Sequence, residues 1–445
     1  MNYLRIALLF AFAYVLNLFA PQALASLALL GGTEAVLASS LWCLGLMLVF
    51  GWACSKVAQG TVLPSFTIQL LMGIVLHDAL APLSAELALA VVVCTVLAAI
   101  ILKSGGDELN RAEFAKTAFP ILMIAVVGYL VTFFFMFVFL RWLGMDGKTA
   151  ALLAAIISST DPAALIPTLK QVIFKPEYQR VVDMSIAESA LNDAVGAIFT
   201  AAVAAMVMGN VDLNNLEGLA AGLFNADNLM HLAQQFFWGT AAGLVGWAAL
   251  FAFDRYLGAD RSRGSVYDFA LVLAIPLLTF VLAQAVHGNG FLAAFVAGLM
   301  ANFNRSTPHF EHLVEQTETQ IESVAKPIIF MMVGPFVTLQ TLSDTAWMGF
   351  LVSAGFILFA RPLAVFVSLL PTGVTVREKL FLCGVRETGV IPVVLAVITV
   401  AQFPELQLLM PLTAWVVIWT LTVLPAITPW WATTLQLVKS EDQHT

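Results

Sequence analysis

The sequence predicts an all-α polytopic membrane protein of about 13–14 transmembrane helices, and three observations carry that expectation. Of its 445 residues, 60% are hydrophobic and only 11% are charged, against roughly 25% charged in soluble domains. Apolar runs of about 20 residues, each long enough to cross a bilayer, recur along the whole chain. Numbering those runs sends the Lys and Arg residues to one side of the membrane. No stretch is long and polar enough for a soluble domain. The net charge of −8 identifies no partner, because most charged groups fall in short connections, and nothing points to nucleic acid.

Hydropathy places the spans at roughly 4–30, 35–55, 61–80, 83–103, 113–141, 148–170, 180–209, 229–257, 266–286, 288–303, 323–342, 346–370, 377–401 and 408–432. The first run has an early Arg5 and ends in Ala-Leu-Ala before Ser26. It fits a cleaved secretory signal or an extra first helix; apolar residues that continue to Leu30 favour the helix. With the N-terminus in the cytoplasm, only Arg141 and Lys148 face outward, and Arg361 and Arg386 fall within spans. Every other basic residue, from Arg5 to Lys439, falls on the inner side. The positive-inside rule therefore supports the count and places both termini in the cytoplasm, as expected in a bacterial-type inner membrane. Residues 311–323, rich in Glu, read as a solvated acidic connection, and residues 433–445 as a short cytoplasmic tail.

An internal repeat follows from two interrupted spans. The sixth contains Asp161 before P-A-A-L-I-P, and the thirteenth contains Arg386 before E-T-G-V-I-P. Matching Ile166-Pro167 to Ile391-Pro392 sets Asp161 opposite Arg386. An odd separation of seven spans makes the two run in opposite directions, so spans 2–7 and 9–14 form an inverted repeat linked by span 8. Pro162, Pro167, Gly389 and Pro392 break the backbone ladder of both spans near the midplane. Secondary transporters place substrate sites between such discontinuous helices.

Three carboxylates lie inside these apolar stretches: Asp161, Glu188 and Asp193. A charge at the centre of a membrane helix costs at least about 2.5–3.5 kcal/mol, so it marks a partner, an ion or a water path. In span 7, Glu188 and Asn192 are four residues apart, as are Ser189 and Asp193, which draws one polar stripe along a helix of small apolar residues. The hard oxygens of Asp193, Asp161, Thr160 and Ser189 suit Na+ or K+; a transition metal would ask for thiolates or clustered imidazoles. A desolvated carboxylate also holds a proton near neutral pH. One carboxylate that takes either species is enough for exchange, with no cofactor beyond the transported ions. Glu188 needs a buried cation, and Arg361 is the expected partner in a structural ion pair. Arg386 is expected to balance charge at the helix crossing, and Glu387 beside it reads either as its local partner or as an extra proton site. Cys43, Cys54, Cys94 and Cys383 have no metal or disulfide spacing and read as small buried residues. The histidines at span ends, His309 and His312 among them, read as ordinary loop residues.

At these residues a family resemblance becomes specific. E-S-A-L-N-D-A-V-G (188–196) resembles the E-S-L-L-N-D-A signature of monovalent cation/proton antiporters of the NhaP/NHE type. S-S-T-D-P-A resembles their T-D-P motif, F-A-R-P-L-A-V-F (359–366) their Arg-Pro helix, and the stretch 377–396 their G-L-R-G-A-V-P region. L-P-S-F-T-I-Q-L-L-M-G-I-V-L (63–76) is similar to their early helix, and the likeness runs from about residue 40 to 432. The resemblance implies that Asp193 exchanges the ions, with Asp161, Thr160 and Ser189 completing the cation site. Asn192 implies the electroneutral Asn-Asp class, and Glu188 with Arg361 a structural pair. It further implies a homodimer on the NhaA/NhaP-like fold with two crossed discontinuous helices. Core helices would lie at about 113–209 and 346–432, moving elevator-fashion against scaffold helices at about 35–103 and 229–342; residues 1–30 would add one helix to the antiporter domain of 31–432. One departure stands out: G-V-R-E replaces G-L-R-G, so Glu387 stands where a small residue is expected. Two other readings compete, a sodium-coupled symporter of an organic anion on a similar fold, and a channel or non-transporting sensor.

Overall fold

In the computed structural model, which describes residues 2–61, 63–107, 109, 111–160, 169, 172–257, 268–303 and 308–438, the described elements are helical. The first half runs α1 (Asn2–Ala28), α2 (Gly32–Ala58), α3 (Ser65–Val75), α4 (Leu87–Asp107), α5 (Arg111–Leu122), α6 (Tyr129–Trp142), α7 (Gly147–Ile157) and α8 (Gln179–Met208). Then follow α9 (Leu216–Leu223), α10 (Ala226–Leu257), α11 (Asp268–Ala285), α12 (Gly290–Phe303), α13 (Pro308–Met331) and α14 (Leu339–Asp344). The last third is α15 (Ala346–Gly355), α16 (Arg361–Ser368), α17 (Val376–Cys383), α18 (Val390–Gln402) and α19 (Leu409–Thr434). Among the described residues, 8 helices are long and apolar enough to cross a membrane. Shorter apolar helices at Ser65–Val75, Gly147–Ile157, Leu273–Ala285, Gly290–Phe303 and Val390–Gln402, together with α13, supply the other predicted spans.

The inverted repeat is visible in irregularities that the sequence did not reveal. Span 5 is α5 and α6 joined by a π-helical turn at Met123–Gly128, and span 12 is α15 and α16 joined by another at Phe356–Ala360. The two spans are repeat equivalents, and each π turn packs against the other span. π-Bulges of this kind concentrate at functional sites. Glycine contacts obey the same symmetry. A Cβ on Gly298 of α12 would lie 2.0 Å from the Lys103 carbonyl oxygen of α4, and one on Gly106 2.4 Å from that of Phe295. The repeat carries this pairing of spans 4 and 10 onto spans 11 and 3. There a Cβ on Gly73 would lie 2.4 Å from the Met331 carbonyl oxygen, and one on Gly334 2.1 Å from that of Gly73. Without a hydrophobic force between helices in lipid, backbone contact at small residues is what holds such crossings.

Three expectations change. Residues 311–323 are not a connection but the first half of α13, which begins at Pro308. The segment holds no Gly or Pro, and polar residues with an i,i+4 Glu322–Lys326 pair sustain a helix. Span 3 is α3 followed by single turns at His77–Leu80 and Pro82–Ala85, with Pro64 as N-cap of α3. Lys103, read as a basic residue at a span end, lies inside α4 at 1% exposure and pairs with Asp107 at 2.5 Å. Arg361 and Arg386 are therefore not the sole buried cations.

Candidate functional site

Three elements build the site: the end of α7, the middle of α8 and the break between α17 and α18. Asp146 caps the start of α7 by accepting from the Thr149 amide at 3.0 Å, and every residue of α7 except Lys148 is buried. The helix stops at Ile157, so Ser158, Ser159 and Thr160 continue as non-helical backbone, also buried. Asp161, Pro162 and Pro167 lie outside the described residues. α17 is anchored at its start by a capping box between Thr375 and Glu378. Arg180 grips Glu378 through two hydrogen bonds of 2.5 and 2.8 Å. α17 ends at Cys383, and Gly384 to Gly389 carry the chain in non-helical form to α18.

The polar stripe of α8 meets the chain leaving α7. The Ser159 hydroxyl donates to Asp193 Oδ1 at 2.6 Å, and the Ser189 hydroxyl donates to Thr160 Oγ1 at 3.1 Å. Asp193, Ser189 and Thr160 are 2%, 4% and 2% exposed, so this oxygen cluster is sealed from bulk solvent. Asn192 is fully buried, and its amide atoms have no hydrogen-bond partner among the described residues. Sequence reasoning missed Ser159. In an unwound segment no helical period says which of two neighbouring hydroxyls turns to the carboxylate, although the Ser-Ser-Thr run next to Asp161 was a usable signal.

Glu188, one turn before Asn192, holds the crossing together. Arg361 donates to both of its carboxylate oxygens, at 2.6 and 2.8 Å, the bidentate geometry that makes guanidinium–carboxylate pairs strong. The same guanidinium donates through Nε to the Leu382 carbonyl at 2.9 Å and through Nη2 to that of Val385 at 3.3 Å. Arg386 donates through Nη2 to the Ser158 carbonyl, lies with Nη1 3.7 Å from Glu188 Oε1, and stacks over the Phe356 ring at 5.5 Å. Each arginine thus serves the C-terminal end of one broken half-helix: Arg386 that of α7, Arg361 that of α17. Those ends expose carbonyls without helical partners and the negative pole of the helix dipole, which cations stabilise. The structure therefore joins Asp193 to Ser159 and Ser189 to Thr160, and brings Glu188, Arg361 and Arg386 together.

Close approach here depends on Gly196, one turn beyond Asp193. A Cβ at position 196 would lie 2.8 Å from the Ser159 Cβ and 3.6 Å from the Tyr129 ring. Tyr129 is itself pinned by a 2.8 Å hydrogen bond to the Ala155 carbonyl, so the segment cannot retreat on that side. Gly196→Ala is expected to push Ser159 off Asp193 at a cost of about 1–3 kcal/mol. Cation affinity of the purified variant, read by isothermal calorimetry, checks this; unchanged affinity would show that the gap is not needed.

Crossed discontinuous helices, an inverted repeat and a buried acid at the crossing are the architecture in which secondary transporters place their substrate sites. The chain matches the family model described as "Sodium/hydrogen exchanger, transmembrane" over residues 44–434, and it belongs to that family. It is 29% identical over 337 residues to a K(+)/H(+) antiporter NhaP2 of Shewanella sp. (strain MR-4), a match covering 75% of this chain and 56% of the relative. It is 26% identical over 372 residues to Na(+)/H(+) antiporter 1 of Methanocaldococcus jannaschii, covering 80% of this chain and 82% of that one. The chain thus spans little more than half the length of the NhaP2 relatives it matches. The solved structure of the M. jannaschii sodium proton antiporter MjNhaP1 superposes with a TM-score of 0.74 at 23% identity, covering 90% of this chain and 99% of that one. That likeness establishes the fold.

Proposed function

We propose that the protein exchanges a monovalent cation for a proton by competition at Asp193, without net charge movement. The observation that carries this reading is the sealed carboxylate of Asp193, held by Ser159 beside the Ser189 and Thr160 hydroxyls. When the carboxylate is ionised, its oxygens and the neighbouring hydroxyl oxygens suit Na+ or K+. When a proton takes its place, the site is neutral and releases the metal ion. Asp161 is assigned to the same site as a ligand direct or through water. Asn192 in the preceding position adds no charge, so one cation replaces one proton. The antiporters to which the chain is similar are named for K+ in some cases and Na+ in others, so cation choice is left to measurement.

Glu188 and Arg361 serve as the structural ion pair, and Arg386 balances charge at the crossing. A core formed by the helices at about 113–209 and 346–432 moves against a scaffold at about 35–103 and 229–342, exposing the site to alternate sides. Dimerisation of the scaffold, an inner-membrane location and cytoplasmic termini complete the reading. Proteoliposomes loaded with a pH dye test it with inward gradients of Li+, Na+, K+ and Rb+. At least one cation should drive proton flux with no organic solute present, saturably, and unaltered when the membrane potential is clamped to zero. Flux that requires an organic anion would favour the symporter, and non-saturating passive flux a channel.

A further inference from the structure

We infer that Tyr129 is a positioning residue for the cation site: its hydroxyl takes the place of the Ser159 amide on the Ala155 carbonyl and so holds Ser159 unwound, against Asp193. The inference rests on the exchange reading and deepens it.

The last turn of α7 shares its carbonyls among unusual donors. Ala154 accepts from the Ser158 amide at 3.2 Å, the last regular bond of the helix. Had the helix gone on, the Ser159 amide would serve the Ala155 carbonyl, four residues back. It turns instead to Ile156, three residues back, at 3.4 Å. The Tyr129 hydroxyl donates to the freed Ala155 carbonyl at 2.8 Å, from a side chain that is fully buried. A carbonyl left unmet inside a membrane protein is costly, so a donor at Ala155 is what lets the chain leave the helix at Ser159. From that point the Ser159 hydroxyl reaches Asp193 Oδ1 and Thr160 accepts from Ser189. Returning the Ser159 amide to Ala155 would extend the helix and redirect the chain that carries both hydroxyls.

The inverted repeat carries the same device twice, which sets Tyr129 apart from a tyrosine that merely meets the nearest acceptor. Tyr129 is the first residue of α6, directly after the π turn Met123–Gly128. Arg361 is the first residue of α16, directly after the π turn Phe356–Ala360. Arg361 Nε donates to the Leu382 carbonyl at 2.9 Å, whose helical partner four residues on would be the Arg386 amide. α17 ends before that bond can form, and Gly384 closes it with a bond to Phe381, three residues back, as Ser159 does to Ile156. In each repeat, then, a side chain aimed by a π turn relieves a backbone amide at the break: Tyr129 that of Ser159, Arg361 that of Arg386. The Tyr129 ring is fixed separately, 5.3 Å from the Phe199 ring and against Gly196. Tyr129→Phe therefore removes the donor and keeps the packing.

In proteoliposomes, Tyr129→Phe should raise the half-saturating cation concentration of proton flux about five- to tenfold, the worth of one hydrogen bond. Maximal flux should hold, because Asp193 stays in place. In a Ser159→Ala background the same change should cost less than about twofold, since the hydroxyl it positions is gone. A purely architectural role would weaken both backgrounds alike. Unmoved half-saturation in Tyr129→Phe, or equal losses in the two backgrounds, would overturn the inference while leaving the exchange reading intact. Absence of flux in the wild type would instead sink that reading. Should gel filtration show that Tyr129→Phe does not assemble, 3-fluorotyrosine placed at position 129 keeps both ring and donor. Its fluorine resonance should shift when saturating Na+ or K+ is added, and a resonance that responds to neither cation would overturn the inference.

Discussion

Replacing Asp193 with Asn will reduce cation-driven proton flux to the level of protein-free liposomes while leaving an assembled protein. The amide keeps an acceptor oxygen for the Ser159 hydroxyl, which now reaches Asp193 at 2.6 Å, so the joint between α7 and α8 should hold and stability should stay within about 1 kcal/mol. What disappears is the ability to hold a proton or a cation by turns. Ser159→Ala provides the contrast. It removes one hydrogen bond to a charged group, worth about 1.5–3 kcal/mol, and leaves the carboxylate, so exchange should persist with weaker cation affinity. Reconstituted flux and size-exclusion profiles of both variants decide the matter. Asp193→Asn protein that elutes normally and still exchanges would remove Asp193 from the mechanism.

Much of the fold was legible because lipid makes a blunt demand: about 20 apolar residues for each crossing. Spans as different as α1 and α19 meet it and were placed within a few residues. Charges broke the reading where they were satisfied inside the protein. Lys103 scored as a loop residue because its partner, Asp107, lies four residues on and past the predicted span end; the i,i+4 pair extends α4 through a region that hydropathy had closed. The Glu322–Lys326 pair did the same in α13, and Ser104 of α4 adds to it by donating to Glu322 at 2.6 Å. The π turns at Met123–Gly128 and Phe356–Ala360 leave no compositional trace, since each inserts one residue into a helix whose side chains remain apolar.

The site was legible where it lies on a helix and obscure where it lies on unwound chain. Glu188, Ser189, Asn192 and Asp193 fell into one stripe because α8 keeps a fixed period of 3.6 residues. No such period governs Ser158 to Thr160, and the division of labour there, Ser159 to Asp193 and Thr160 to Ser189, had to come from coordinates. Arg361 was expected to meet Glu188, and it does. Its second duty, holding the Leu382 and Val385 carbonyls, was hidden because backbone acceptors at a helix break carry no residue identity.

That double duty leads to the other large expected effect. Arg361→Met should destabilise the protein by about 3–5 kcal/mol, the usual result of stripping one partner from a buried pair, because Glu188 would keep its charge in the protein interior. Glu188→Leu should cost a similar amount, since Arg361 and Arg386 would then share no carboxylate on α8. In the Glu188→Leu/Arg361→Met double variant the paired charges vanish together, and buried ion pairs replaced by apolar groups are often close to neutral. Recovery should nevertheless be incomplete, because the Leu382 and Val385 carbonyls stay without donors, at about 1–3 kcal/mol for an unmet buried polar group. Arg361→Lys separates the two contributions: it keeps the charge but loses the planar fork that reaches carboxylate and carbonyls together, so it should fall between wild type and Arg361→Met. Thermal unfolding midpoints in one detergent, measured across all four variants, test the ordering. A double variant no more stable than the weaker single variant would mean that Glu188 and Arg361 are not energetically coupled, and a double variant equal to wild type would mean that the carbonyl contacts contribute nothing.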